Sequence, residues 1–351
     1  MPGGTRGIIV KYNQLGNSDL KVSEIGLGSD TFGRDIDEKS TASIINHALD
    51  LGVNYIDTAD VYGWGGWSER YVGKAVKDKR ARFIIATKFG IGVSEDFPQG
   101  TSKEGLGSRP YVMKAVDDSL KRLDTDYIDL YQFHLPDPNT PIEETLRALD
   151  DLVHSGKVRY IGCSNLSAWE LCESLWISKT AGLAPFISIQ SRYSLLDRHI
   201  EEELVSCCQA YNMGFIPWYP LAGGFLTGKY HRGETPAKGT RFNSNLPLYG
   251  KMLTEENFNL LDKLQEFAGD HSHSLAELAV AWLLSHQWVT TVIAGVTRTD
   301  QVTSNVRSAD WKLTADELIQ LDQATGYKMY SVFPPAPRKY VFPPGYLKKE
   351  N

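Results

Sequence analysis

The chain has 351 residues, 42% of them hydrophobic and 23% charged, with a formal net charge of -6. That balance is ordinary for a folded soluble chain, and it argues against nucleic acid or an anionic membrane as a partner. No apolar stretch is long enough to span a bilayer, and "MPGGTRGIIVKYNQ" lacks an apolar core of signal-peptide length, so a cytoplasmic location is expected. The length suits either two domains or one large α/β barrel. The four cysteines, Cys163, Cys172, Cys207 and Cys208, show no CxxC or metal-type spacing. They read as reduced, mostly buried thiols, and no metal centre is expected.

In chain order, "KYNQLGNSDLKVSEIG" predicts a short hairpin, 12–15 and 20–22 around a Gly16-Asn17 turn, capping one end of the fold. A strand–helix alternation follows. Strand-like apolar runs lie at 24–29, 53–58, 82–88, 127–134, 158–164, 186–190, 213–219 and 289–295. Helical patterns lie near 41–51, 68–78, 109–123, 141–154, 167–179, 199–211, 275–286 and 299–308. The clearest is 141–154, where Ile142, Leu146, Leu149 and Val153 form one apolar stripe. Thr140 with Glu143 predicts a capping box there, Pro141 takes the first helical position, and Gly156 ends the helix.

About eight such units, with strands apolar on both faces, predict a (β/α)8 barrel with an N-terminal β-hairpin. The rival doubly wound sheet normally carries GxGxxG after its first strand; here Gly26 and Gly28 are followed by Thr31 in the third position. The expected organisation is one barrel domain over 1–326, with long loops at 89–108 and 220–252 over the C-terminal mouth. A Pro/aromatic-rich tail occupies 327–351. Three placements stay open for it: a lid over the mouth, packing on its own barrel, or docking on a neighbouring subunit. The "HSH" at 271–273 reads as a solvated helix start rather than a metal pair.

In such a barrel the chemistry sits at the C-terminal strand ends. Those ends carry Asp57, with Tyr62 in the loop after it, then Lys88, His134, Ser164 with Asn165, Gln190, and Trp218 with Tyr219. Taken singly, Asp57 also fits a loop cap, Lys88 a solvated strand end, His134 a hydrogen-bonded core histidine and Trp218 a core residue. Their convergence on one mouth favours a site.

At these residues the chain resembles the aldo-keto reductase superfamily. The motifs are "GVNYIDTADVYG" with "SERYVGKAV", "IATKFG", "YIDLYQFHLPDP", "GKVRYIGCSN", "IQSRYSLL", "PWYPLAGGFLTGKY" and "IAGVTRTDQVTSN", in order over about residues 20 to 310. The "PLAGGFLTGKY" stretch is similar to the bacterial and potassium-channel-β-subunit-like branch. The resemblance implies hydride transfer between a nicotinamide cofactor and a carbonyl, with Asp57, Tyr62, Lys88 and His134 as the catalytic set.

In that scheme Tyr62 protonates the oxygen that hydride transfer leaves negative, although a free phenol has a pKa near 10. An ammonium at about 4 Å would favour the phenolate by roughly three pKa units at most, so Lys88 is expected to lower Tyr62. Asp57 would hold Lys88 in place and charged, which also moderates its pull on Tyr62, and His134 would orient or polarise the carbonyl.

The resemblance further implies that Ser164, Asn165 and Gln190 hold the nicotinamide carboxamide and that Trp218 stacks on its ring. Tyr219 departs from the serine usual at its position. Pro220, Leu221, Gly223 and Lys229 match the pyrophosphate loop, and Thr31 and Arg241 are further cofactor positions. Gly295, Thr297, Arg298, Gln301 and Asn305 fall at the adenosine. Arg298 suits a 2′-phosphate, which favours NADP over NAD, while Gln301 stands where some relatives have a second arginine.

The inserted "GWGGW" before Ser68 places Trp64 and Trp67 beside Tyr62, as one wall of a substrate pocket or as surface packing. Asp60 is expected to shape the turn that aims Tyr62. The implied function is NADPH-dependent reduction of a small aldehyde or ketone, sugar-like or aromatic, by a chain compatible with homo-oligomer formation. Two alternatives stay open: a sugar or alcohol dehydrogenase in the oxidative direction, and a cofactor-binding regulatory subunit with slow turnover.

Overall fold

A computed structural model describes residues 10–91, 105–243 and 252–326. The chain opens with an antiparallel hairpin, β1 (Tyr12–Gln14) and β2 (Lys21–Ser23). Eight parallel strands follow: β3 (Ile25–Gly28), β4 (Tyr55–Asp57), β5 (Ile84–Phe89), β6 (Ile128–Phe133), β7 (Val158–Ser164), β8 (Phe186–Arg192), β9 (Gly214–Trp218) and β10 (Val292–Gly295). They pair in chain order, and β10 returns to pair with β3. On the other side a bridge joins Phe215 to Val289, and the Thr290 N–H donates to the Phe215 carbonyl at 2.8 Å. The sheet thus forms a nearly closed (β/α)8 barrel, and its strands are buried because helices cover the outer face.

Two apolar layers result. The larger lies between sheet and helices. The smaller fills the barrel itself, with Tyr55, Ala86, Leu130, Ile187, Ile216 and Ile293 packed against Leu15, Leu20 and Val22 of the hairpin. The hairpin therefore plugs the N-terminal end of the barrel. It sits so close that a Cβ on Gly16, whose φ is +53°, would lie 2.0 Å from the Ile187 carbonyl oxygen. With that end stoppered, the C-terminal mouth is where polar groups can meet a ligand.

The strand runs and most helices match the sequence pattern. One cap does not. The 142–154 helix has Pro141 as its N-cap with no side-chain cap, because the Thr140 hydroxyl donates instead to Asp137 Oδ2 at 2.7 Å. The expected Thr140–Glu143 box is thereby corrected. The 199–211 segment divides into a 3-10 turn, His199–Glu201, and a helix, Leu204–Tyr211.

Two helices went unread in the sequence, Glu255–Asp270 and Ala315–Ala324. The second carries a legible signal, a Thr314–Glu317 capping box. His271 bonds Glu317 at 3.0 Å and His273 stacks on Trp311 at 4.1 Å, so "HSH" helps hold these helices together. The 327–351 tail and parts of both long loops lie outside the described residues.

Candidate active site

Side chains alternate across each strand, so the residues two steps beyond the inner apolar layer also face the barrel axis. Tyr55 leads to Asp57, Ala86 to Lys88, and Leu130 to Gln132 and then His134. Register completes the convergence, since Asp57 pairs with Ala86 and Lys88 with Gln132. Lys88 is fully buried, and its Nζ donates to Asp57 Oδ2 at 2.6 Å, to the Thr58 carbonyl at 2.9 Å and to Tyr62 Oη at 3.4 Å. Asp57 Oδ1 accepts from Gln190 Nε2 at 2.7 Å and Gln132 Nε2 at 3.3 Å. The His134 ring meets the Tyr62 ring edge-on, with centroids 6.1 Å apart.

The net shift of Tyr62 is upward, where Lys88 taken alone would lower it: burial pushes its hydroxyl well above 10, and the Asp57 and Asp30 carboxylates add to that. Lys88 gives its shortest contact to Asp57 and a longer one to Tyr62, so Asp57 moderates its pull on the phenol. Burial, reinforced by Lys88, holds His134 well below 6.5, so its imidazole is neutral at physiological pH. His134 Nδ1 is buried without a hydrogen-bond partner among the described residues. An unmet lone pair is less costly than an unmet N–H, which favours the proton on Nε2.

The loop bearing Tyr62 is tied down from beneath. The Asp60 N–H donates to the Lys88 carbonyl at 3.2 Å, and Ser68 Oγ donates to the Ser29 carbonyl at 2.9 Å. Gly63, at φ +73°, has no room for a Cβ, which would lie 2.7 Å from the Phe32 carbonyl oxygen. Trp64 then takes φ +59°, a conformation that costs about 1 kcal/mol or more outside glycine, and its side chain is 77% exposed. Trp67, by contrast, rests on Tyr71 and under Arg70.

Behind this loop Asp60 and Glu69 are buried together. Glu69 pairs with Arg122 at 2.6 Å and accepts from Thr87 at 2.6 Å. Burial first, and then the Glu69 charge, push Asp60 up to about 8. The folded protein therefore keeps a proton that the unfolded chain releases near pH 4, so stability falls as pH rises from about 4 to about 8 and is level above that. Asp60→Asn removes the dependence. In urea unfolding its gain over the parent protein should be larger near pH 9 than near pH 5, by up to about 4 kcal/mol. An equal gain at both pH values would contradict the buried, protonated carboxyl.

The residues assigned to the nicotinamide do gather at this mouth, but they hold one another. Ser164 Oγ donates to the Gln190 carbonyl at 2.9 Å, while Gln190 gives its amide N–H to Asp57. Asn165, at φ +59°, donates to the His134 carbonyl at 3.1 Å and accepts from Trp218 Nε1 at 3.0 Å. Trp218 meets Tyr219 edge-on. Thr31 Oγ1 donates to the Val296 carbonyl at 2.7 Å, which ties the β3 loop to β10.

Next comes a tight backbone curl. Positive φ at Tyr219, Ala222, Gly223 and Gly224 bends the segment after buried Pro220 and half-buried Leu221. A Cβ on Gly224 would lie 2.8 Å from Lys229 Nζ. Burial and the neighbouring Arg241 hold Lys229 below its ordinary value. Two cations share this edge, and Arg241 spans to Asp30 at 2.7 Å. A glycine cradle against crowded cations suits a diphosphate, so the residues fit a nicotinamide dinucleotide.

At the adenosine end Gln301 Oε1 accepts from the Thr297 and Arg298 N–H groups at 2.7 and 3.2 Å, capping the helix Thr299–Arg307. Asn305 is buried on that helix, and Gly295 is the exposed last residue of β10. Arg298 is clamped to Asp300 by two contacts of 3.0 Å.

Gln132, Asp30 and Asp300 were not singled out in the sequence. Gln132 could have been found from period two, because it lies two residues before His134 on one strand. Asp30 and Asp300 gave no such signal, since their roles depend on partners met in space.

A parallel barrel with a buried lysine–carboxylate pair, a phenol and a neutral imidazole at its mouth, beside an anion cradle, is the architecture of a barrel-type oxidoreductase. The sequence matches the Aldo/keto reductase family over residues 24–325. It is 35% identical to versiconal hemiacetal acetate reductase of Aspergillus parasiticus, over 90% of this chain and 96% of the relative. It is also 35% identical to L-glyceraldehyde 3-phosphate reductase of Escherichia coli O157:H7, over 90% and 92%. A rice protein described as a "probable voltage-gated potassium channel subunit beta" is 35% identical over 86% and 92%. The chain belongs to the aldo/keto reductase family, and is an NAD(P)H-dependent oxidoreductase of carbonyl substrates. Among the described residues no helix is long and apolar enough to cross a membrane.

Proposed function

We propose that the protein reduces an aldehyde or ketone, sugar-like or aromatic, to its alcohol, with NADPH as hydride donor and Tyr62 as general acid. The observation that carries this reading is the buried Lys88–Asp57 pair at 2.6 Å, with the Tyr62 hydroxyl 3.4 Å from the same ammonium. The nicotinamide, when bound, supplies the hydride. Tyr62 gives its proton to the oxygen that becomes negative, and burial keeps that proton in place until then. Lys88 stabilises the phenolate as it forms, while Asp57, braced by Gln132 and Gln190, keeps Lys88 in position. His134 donates from Nε2 to the carbonyl oxygen, which polarises it without adding a full charge.

Ser164 and Asn165 would exchange their present partners for the carboxamide, with Trp218 beneath the ring. Lys229 and the backbone from Pro220 to Gly224 would hold the diphosphate, helped by Arg241 and Thr31. Gly295, Thr297, Gln301 and Asn305 would border the adenosine. Arg298 would take the 2′-phosphate. Its pair with Asp300 is exposed to solvent and therefore weak, so a phosphate can displace that carboxylate. Exposed, strained Trp64 supports a substrate wall, with Trp67 as its base.

A panel of aldehydes, ketones and sugars, assayed with NADPH and NADH and in both directions, tests the reading. Carbonyl reduction is expected, and Trp64→Ala should raise KM for aromatic carbonyls more than for small aliphatic ones. Arg298→Ala should lower the NADPH-over-NADH preference by roughly tenfold, and Asp300→Ala should raise it. Turnover confined to alcohol or sugar oxidation would replace the proposal with a dehydrogenase. Tight cofactor binding without turnover would replace it with a regulatory subunit, the reading that the likeness to the channel-subunit relative favours.

A further inference from the structure

All four cysteines gather at one place, and none of them is used in the proposed reaction. Cys163 lies near the end of β7, Cys172 on the helix Ala168–Ala181, and Cys207 and Cys208 on the helix Leu204–Tyr211. Within this group one pair stands in contact, with Cys172 Sγ 3.4 Å from Cys207 Sγ. A disulfide bond is about 2 Å long, so closure needs a movement of only about 1.4 Å. The pair is positioned by its surroundings. Cys207 Sγ donates to the Ala168 carbonyl at 3.8 Å, and the Tyr211 side chain hydrogen-bonds Cys172.

Access divides the four thiols. Cys172 is half-buried, whereas Cys163 and Cys208 are buried, at 0% and 1% exposed. Cys207 is buried too, but at 9% it lies nearer the surface than those two. Burial also raises Cys163, Cys207 and Cys208, and Cys208 reaches about 12. By its exposure Cys172 is the thiol a small oxidant meets first, and Cys207 is its contacting neighbour. The adjacent Cys207–Cys208 pair is disfavoured because a bond between consecutive residues strains the backbone.

We infer that Cys172 and Cys207 form a reversible thiol–disulfide site that cross-links the two helices under peroxide. The Cys172 thiolate attacks one peroxide oxygen, forming a sulfenic acid and releasing water once the leaving oxygen is protonated. Cys207 then attacks that sulfur, and the hydroxyl leaves as a second water. In balance, two thiols and one hydrogen peroxide give one disulfide and two waters, and a dithiol reductant reverses the change.

The test is to treat the intact protein with hydrogen peroxide, alkylate the remaining thiols and digest with trypsin and a glutamate-specific protease. The second cut isolates Cys172 from Cys163, because Glu170 and Glu173 flank it. Expected is a peptide cross-linked through Cys172, lost in Cys172→Ser and in Cys207→Ser, retained in Cys208→Ser and removed by dithiothreitol. Because the bond closes a 35-residue separation in a preformed contact, the oxidised protein should also unfold at a temperature higher by roughly 5 °C. A cross-link retained in Cys207→Ser, or oxidation of Cys172 that stops at sulfinic acid, would overturn the inference. So would an oxidised protein that unfolds at or below the temperature of the reduced one.

Discussion

Tyr62→Phe is expected to lower carbonyl turnover by roughly a thousandfold while leaving cofactor affinity unchanged. The substitution removes one hydroxyl and keeps the ring, so the edge contact with His134 survives. The lost group sits 3.4 Å from Lys88 Nζ, and no other hydroxyl is recorded at that ammonium among the described residues. Lys88 is a poor substitute donor, because two of its three protons are held by Asp57 Oδ2 and the Thr58 carbonyl, and losing the third would leave Asp57 without a buried cation. Cofactor affinity should hold because the diphosphate cradle and the Ser164–Asn165 pair lie on other strand ends. Single-turnover kinetics with a cofactor titration checks both halves. Near-normal turnover would remove Tyr62 from the mechanism, and a large loss of cofactor affinity would show that the ring and not the proton is at issue.

The second expectation separates stability from chemistry at the same site. Lys88→Met leaves Asp57 ionised, buried and without its cation, which should destabilise the fold by about 3–5 kcal/mol and stop turnover. Adding Asp57→Asn removes the stranded charge. The amide can still meet Gln132 and Gln190, so the double variant should regain most of the lost stability. Turnover should stay absent in both, because no ammonium remains to stabilise a phenolate. Urea unfolding with matched kinetics gives the two readouts. A double variant as unstable as the single would mean that Lys88 acts through packing, and recovered turnover would mean that its charge is dispensable.

Much of this site was legible in the sequence because a barrel makes strand ends converge. Once eight apolar runs were recognised, Asp57, Lys88 and His134 had to approach one another at the C-terminal ends, whatever their separation along the chain. Cap and loop details were less legible. Thr140 has a capping-box sequence, yet its hydroxyl goes to Asp137, a competition that no local window reveals. The Glu255–Asp270 and Ala315–Ala324 helices lie beyond regular strand–helix spacing, and they are fixed by contacts such as His271 with Glu317.

The sequence by itself determined the barrel, the hairpin at its base and the residues that line its mouth, because period-two and period-3.6 patterns record which face each element buries. Tertiary structure alone decided which charge each group feels. Lys88 holds Asp57 more closely than Tyr62, Gln190 braces Asp57, Arg298 is clamped by Asp300, and four cysteines spread over 46 residues become one cluster with a touching pair. Burial and hydrogen bonding act over a few ångströms in space, and separation along the chain carries no record of those distances.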